Sequence, residues 1–213
     1  PGSAYYYRRD AASPSGWTLA REFQAADPAS GFAFGHAVAL DGDVLAVSGG
    51  LRPEVPYAST YVVHVRERNA GGAEAWNEVA TLATSSDARD IFGYRLGLDD
   101  GWLAVVAPGE VELDTGRIGA AYVYRRNEGG ASGWGLVRRL TSDSGPQFLP
   151  EQVALDGDWL ALGAPSVDGA GAVFLFGRHV GGENHWGEVT KLQDLPLEPE
   201  FAFGQGLALA GGE

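Results

Sequence analysis

The sequence predicts an all-β protein built from repeated four-stranded antiparallel units, and three observations predict it. Phe-led segments recur as "FGHAVALDGD" from Phe34, "FGYRLGLDDG" from Phe92, "FLPEQVALDGD" from Phe148 and "FGQGLALAGGE" from Phe203, at spacings of 58, 56 and 55 residues. Tryptophans keep the same beat at Trp17, Trp76, Trp134 and Trp186, at spacings of 59, 58 and 52. Between these markers lie short apolar stretches rich in Val, Tyr, Phe, Ala and Leu, bounded by Gly, Pro, Asp and Asn. That pattern reads as strand and turn, and no stretch offers a sustained helical apolar face.

Each repeat supplies four strands, A to D. Strand A follows the Phe-led marker. Strand B is the run "DVLAVSGG", "WLAVVAPG" or "WLALGAPS", and strand C is "GSAYYYRR", "STYVVHVR", "GAAYVYRR" or "GAVFLFGR". Strand D opens on the tryptophan, as in "WTLAREF", "WNEVATL", "WGLVRRL" and "WGEVTKL". Asp41-Gly42-Asp43 and Asp156-Gly157-Asp158 stand between strands A and B, where Asp-Gly signals a tight hairpin. Four antiparallel strands repeated every 55 residues or so are the sequence form of a β-propeller blade. Small residues at Ala37, Ala39, Gly97, Ala154 and Ala208 suit inner strands near a crowded axis, and the aromatics of strand C suit the gaps between blades. The chain then reads as one region, 1–213, with repeats roughly at 1–50, 51–109, 110–165 and 166–213. It starts at a strand C, runs through three full sets and stops after a strand A. The expectation is a partial ring of about four blades' worth, incomplete at one or both ends, completed by more of the native polypeptide or by another chain, because an uncovered apolar edge invites aggregation.

The pairing of Phe-Gly with Gly163-Ala164-Pro165, and with the altered forms Ala107-Pro108 and Ser48-Gly49-Gly50, resembles the FG-GAP repeats of integrin-alpha-like β-propellers. The bacterial variety is the nearer likeness, and it covers almost the whole chain. This resemblance implies a propeller, typically of seven blades, on an extracytoplasmic protein that binds partners or ligands. Seven blades at this repeat length would take about 400 residues.

Composition narrows the partners. Hydrophobic residues make up 45% of the 213, enough for a real core. No apolar run approaches the ~18 residues that a helical membrane span needs, so no membrane insertion is expected. The net charge is −13, from 28 acids against 15 bases, and Lys191 is the single lysine; polyanions are repelled, so nucleic acid is not an expected partner. The chain has no cysteine, hence neither disulfides nor thiolate metal sites.

Many FG-GAP repeats hold calcium in the A–B turn, a site needing six to eight oxygens. Here the turns are only Asp41-Gly42-Asp43, Asp99-Asp100-Gly101, Asp156-Gly157-Asp158 and Ala210-Gly211-Gly212. Two carboxylates do not fill a calcium shell, so the turn Asp reads as solvated, the family's metal ligands are not carried over and no cofactor is expected, with calcium as the alternative. Catalysis finds no support either: His36, His64, His179 and His185 occupy different parts of the repeat, and no nucleophile or metalloprotease motif is present. His179 and His185 share a loop without a third ligand. Glu110 and Glu112 form an acidic pair of the kind glycosidases use, but nothing in the sequence sets their separation.

Binding is therefore the expected role. The once-per-repeat tryptophans read as packing between sheets. Trp102 and Trp159, next to a turn at the position of Val44, read as partly exposed contact residues. The D–A and B–C connections share one face and gather Glu54, Glu110, Glu112, Asp114, Asp168, Glu198 and Glu200 into an acidic surface suited to a partner presenting Arg or Lys. A non-catalytic binding or accessory propeller ranks first, a carbohydrate-binding lectin second and a glycan-directed hydrolase third.

Overall fold

The computed structural model describes residues 2–25, 33–51, 61–84, 90–111, 114, 116, 118–131, 133–142, 148–193 and 202–211. Within these, fourteen strands form in chain order: β1 (Ser3–Arg9), β2 (Trp17–Gln24), β3 (Val38–Asp41), β4 (Val44–Leu51), β5 (Tyr61–Glu67), β6 (Asn77–Leu82), β7 (Leu96–Asp99), β8 (Trp102–Val111), β9 (Ile118–Arg126), β10 (Trp134–Leu140), β11 (Gln152–Asp156), β12 (Trp159–Ala164), β13 (Ala172–Gly177) and β14 (Gly187–Leu192). One 3-10 turn, Val167–Gly169, interrupts them. Each strand pairs antiparallel with its sequence neighbour, giving one two-stranded sheet, β1-β2, and three four-stranded sheets, β3 to β6, β7 to β10 and β11 to β14. Among the described residues no helix is long and apolar enough to cross a membrane.

Turn chemistry fixes the first hairpin of each sheet. Asp41 pairs with Val44, Asp99 with Trp102 and Asp156 with Trp159, leaving two-residue loops. Gly42 and Gly157 take the left-handed backbone at the first loop position, while in the middle sheet Asp100 and Gly101 both do (φ 42° and 70°). Such loops match the twist of the flanking strands.

The sheets pack face to face. Along β8, Trp102, Ala104 and Val106 enter the core shared with β11–β14, and Leu103, Val105 and Ala107 the core shared with β3–β6. Period-2 alternation thus feeds two cores from one strand, which is why β8 is apolar from Trp102 to Ala107. A third core, holding Phe23, Phe34 and Trp76, joins β1-β2 to β3–β6. The first strands of successive sheets lie side by side, β3 against β7 and β7 against β11. Gly97 shows how tightly: a Cβ there would stand 3.1 Å from Val153 Cγ2.

Close backbone approach also explains the Phe-led marker. The segment entering each new sheet crosses the start of the previous strand C, where a Cβ on Gly2 would stand 2.1 Å from the Phe34 carbonyl oxygen and one on Gly171 2.3 Å from that of Phe203. In the third repeat the same approach is made to Leu149, 2.6 Å from a Cβ on Gly119. Leu149-Pro150 therefore occupy the backbone positions that Phe92-Gly93 hold elsewhere: Glu151 N–H donates to the Gly163 carbonyl as Tyr94 N–H does to that of Val106. Phe148 still buries its ring, one residue out of register with the other repeats.

The stretch expected to form a last strand A, around Ala208, is not a strand. Phe203 makes an isolated parallel bridge to Gly171, and the described residues after it pair with nothing. A strand needs a hydrogen-bonding neighbour, and among the described residues no strand lies beside this stretch.

Candidate functional site

The A–B turns carry more than solvated carboxylates. Asp41 Oδ2 accepts the Asp100 backbone N–H (2.9 Å), and Asp99 Oδ2 accepts that of Gly157 (2.7 Å). Each turn is so tied to the turn of the next sheet. The second turn carboxylate is also used: Asp43 accepts from Arg126 (3.0 Å), which bridges to the largely buried Glu67 (2.8 Å). The Arg126 hydrogen bond holds the Asp43 carboxyl below its ordinary range. In the last sheet Asp158 pairs with Arg178 (2.5 Å). Among the described residues, no group of three or more His, Cys, Asp or Glu side chains is placed to hold a metal ion.

The candidates for an acidic face separate. Glu110 is buried, contrary to the expectation of a surface loop, because β8 continues through it to pair Val111 with Ile118. Its carboxylate accepts from Arg139 Nε (2.6 Å) and from the Tyr122 hydroxyl. Burial, then the Glu110 hydrogen bond and charge, push the Tyr122 phenol well above its ordinary value. The trio locks strand to strand and engages both oxygens of the Glu110 carboxylate within the sheet. Asp168 is exposed, held at φ 54° in the 3-10 turn, and accepts from Lys191 (2.7 Å) and Gln193 (3.1 Å), which keep its carboxyl low. Asp114 is exposed. Glu54, Glu112, Glu198 and Glu200 lie outside the described residues.

The tryptophans separate as well. Trp102 is only 3% exposed, a correction to its expected place on a contact surface. From the following sheet Trp186 meets its ring edge-on at 5.3 Å and the Arg178 guanidinium lies over it at 5.6 Å, while Arg125, its cross-strand partner on β9, lies over it at 4.7 Å. No ring face is left for a sugar. Trp159, its counterpart in the last sheet, is half-buried. Trp76, Trp134 and Trp186 are buried between sheets, whereas Trp17 is 49% exposed.

A polar groove of about 390 Å³ lies where β10 meets the loop before β14, lined by Arg125, Glu128, Arg138, Glu183 and His185 among others. Arg138 Nη1 donates to His185 Nε2 (2.7 Å) and the His185 Nδ1–H to the Val180 carbonyl (3.1 Å), so this imidazole is engaged on both nitrogens.

Residue-by-residue reading of loops missed the most exposed aromatic surface, on β1 and β2: Tyr5 at 56%, Tyr7 at 52%, Trp17 at 49% and Leu19 at 47%. The signal was present in the repeat alignment, since Tyr5 and Tyr7 match buried aromatics of later strands C. No protein-family model matches the chain, and no curated protein matches it.

Proposed function

We propose that these sheets are consecutive blades of an FG-GAP, integrin-alpha-like β-propeller and that the chain works as a non-catalytic extracytoplasmic binding or accessory module that attaches to protein surfaces. The propeller reading is supported by the unbroken A-B-C-D order, by the side-by-side first strands and by the face-to-face packing of successive sheets. The binding reading rests on one observation above the rest, the exposed aromatic face of β1-β2, since a contiguous apolar surface on a folded domain marks an interaction site. Asp114 and Asp168 remain as acidic companions at the connections, the part of a repeat scaffold that varies with partner.

A photo-crosslinking amino acid at Tyr7, with one at Asp114 as the loop comparison, tests the reading in an extract of the native cell surface. Covalent capture of one defined protein at either position supports it. Saturable binding on a glycan array that disappears in Trp17→Ala or Trp159→Ala would replace it by the lectin reading.

A further inference from the structure

The junction between β7–β10 and β11–β14 holds a side-chain cluster in which the exposed aromatic face takes no part. Three half-buried bases meet in the polar groove beside Trp102: Arg125 from β9, Arg138 from β10 and His185 from the loop before β14. Arg125 lies over Trp102 and donates to the Asp100 carbonyl, and Arg138 donates to His185, so neither guanidinium has a carboxylate partner among the described residues. Arg126, Arg139 and Arg178 each have one. The carboxylates that line the groove, Glu128 and Glu183, are exposed, where water and salt screen them.

Hydrogen bonding fixes the state of His185. A carbonyl only accepts and a guanidinium only donates, so Nδ1 carries its proton toward Val180 (3.1 Å) and Nε2 offers a lone pair to Arg138 Nη1 (2.7 Å). A second proton on this ring has to go to Nε2. Two N–H groups and two positive charges then face each other with no acceptor between them. Either the side chains part, or an oxygen enters and accepts from both. The other charged groups around the imidazole are Arg125 and Glu128 across the groove, Glu183 on its own loop and, on its second side, Glu188 and Arg139, the last already paired with Glu110. The junction between β1-β2 and β3–β6 supplies a comparison within the chain. There Arg21 stands where Arg138 stands and Ala75 where His185 stands, counted from the strand-D tryptophans. Arg21 Nη1 donates to the Glu74 carbonyl (3.1 Å), an acceptor that does not titrate.

We propose that this groove is a proton-coupled oxyanion site, in which protonated His185, Arg138 and Arg125 together hold the sulfate or carboxylate group of a ligand. With neutral His185 the imidazole lone pair occupies the Arg138 donor and the site is closed. Protonation turns Nε2 from acceptor to donor, and an anionic oxygen between it and Arg138 receives two charge-assisted hydrogen bonds. One proton enters with each anion, so binding strengthens as pH falls through the range in which imidazoles titrate. The groove, about 390 Å³, has room for the acid group and part of the molecule that carries it. This site goes beyond the binding-module reading and stands apart from it, since no residue of β1-β2 contributes.

An NMR titration of the chain with sodium sulfate, at constant ionic strength in chloride, tests it. The His185 and Arg138 side-chain resonances should shift to saturation, with binding about tenfold tighter at about pH 5.5 than at about pH 7.5. Sodium acetate is the second probe. Saturation by either anion supports the site, and the tighter one tells a tetrahedral acid group from a planar one. His185→Gln, which stays neutral, should bind sulfate equally at the two pH values; Arg138→Gln should lose saturation at both; and Arg21→Gln should behave as the parent does. Circular dichroism checks that the strands persist in each. If Arg138→Gln does not fold, the parent decides by itself, since sulfate must raise the midpoint of the His185 titration. Equal affinity at both pH values, a pH dependence that survives in His185→Gln, or sulfate binding unchanged by Arg138→Gln overturns the proposal. An acid-induced pairing of His185 with Glu183 that leaves its resonances insensitive to both anions overturns it too.

Discussion

Gly119 offers the sharpest test of why the repeat needs glycine at the head of strand C. Its φ is +89°, and an added Cβ would stand 2.6 Å from the Leu149 backbone nitrogen and 2.8 Å from Pro150 Cδ. An L-residue in the left-handed region costs about 1 to 2 kcal/mol. Moving the Leu149 backbone away also stretches the Phe148 N–H bond to the Ile118 carbonyl (2.9 Å), worth about 1 kcal/mol, and disturbs a buried ring, which overpacking penalises by about 1 to 3 kcal/mol. The stiffer unfolded chain works in the same direction as stability, returning about 0.4 to 1 kcal/mol. The net loss expected for Gly119→Ala is about 3 kcal/mol. Gly157→Ala is the control: φ is +55°, but no atom lies within 4 Å of the new methyl, so only the backbone term of about 1 kcal/mol applies. In urea, with a slope of about 3 kcal/mol/M, the two variants should differ in midpoint by about 0.7 M. Midpoints within about 0.2 M of each other would refute the claim that close approach, rather than backbone conformation alone, selects this glycine.

Three further predictions follow from the charged groups. Arg126→Met should lower stability by about 2 kcal/mol, chiefly because Glu67 is left largely buried without its partner, and Arg126→Met with Glu67→Gln should recover most of that loss in the same urea titration. Asp43 and Asp168 have carboxyls held below the ordinary 3.8, so their contribution is complete above that value and disappears as pH falls through their lower folded values. Both are well exposed, so Asp43→Asn should lower the melting temperature slightly at pH 7, by less than about 1 kcal/mol in stability, and the difference from the parent should shrink as pH falls below 3.8. Thermal melts in calcium and in a chelator should coincide, because Asp41 and Asp43 are already committed to the Asp100 N–H and to Arg126; a rise of several degrees with calcium would mean that those bonds are exchanged for metal ligands.

Strand content and order were legible because they rest on local rules. Alternating apolar residues, a two-residue turn at Asp41 to Val44 and a tryptophan opening each strand D specify antiparallel hairpins wherever they occur. Repetition added what no single segment carries, since four versions of one pattern imply one architecture. The candidate site was less legible. Glu110 looked like a loop acid in "GEVELDTGRIG", but whether a carboxylate faces water or Arg139 depends on how far β8 extends, and that is decided by pairing with β9. Trp102 and Trp159 are the same residue at the same repeat position; the first is covered by Trp186 and Arg178 from the sheet that follows and by Arg125 of its own sheet, whereas the second is half-buried.

By itself, then, the sequence determined the class of fold, the strand order and the glycines of the tight turns, for these follow from the preferences of neighbouring residues. Which aromatics are buried, which carboxylates are paired and which faces stand open were decided only by tertiary structure. Burial belongs to the contact between two sheets about 55 residues apart, and no segment read alone specifies what packs against it.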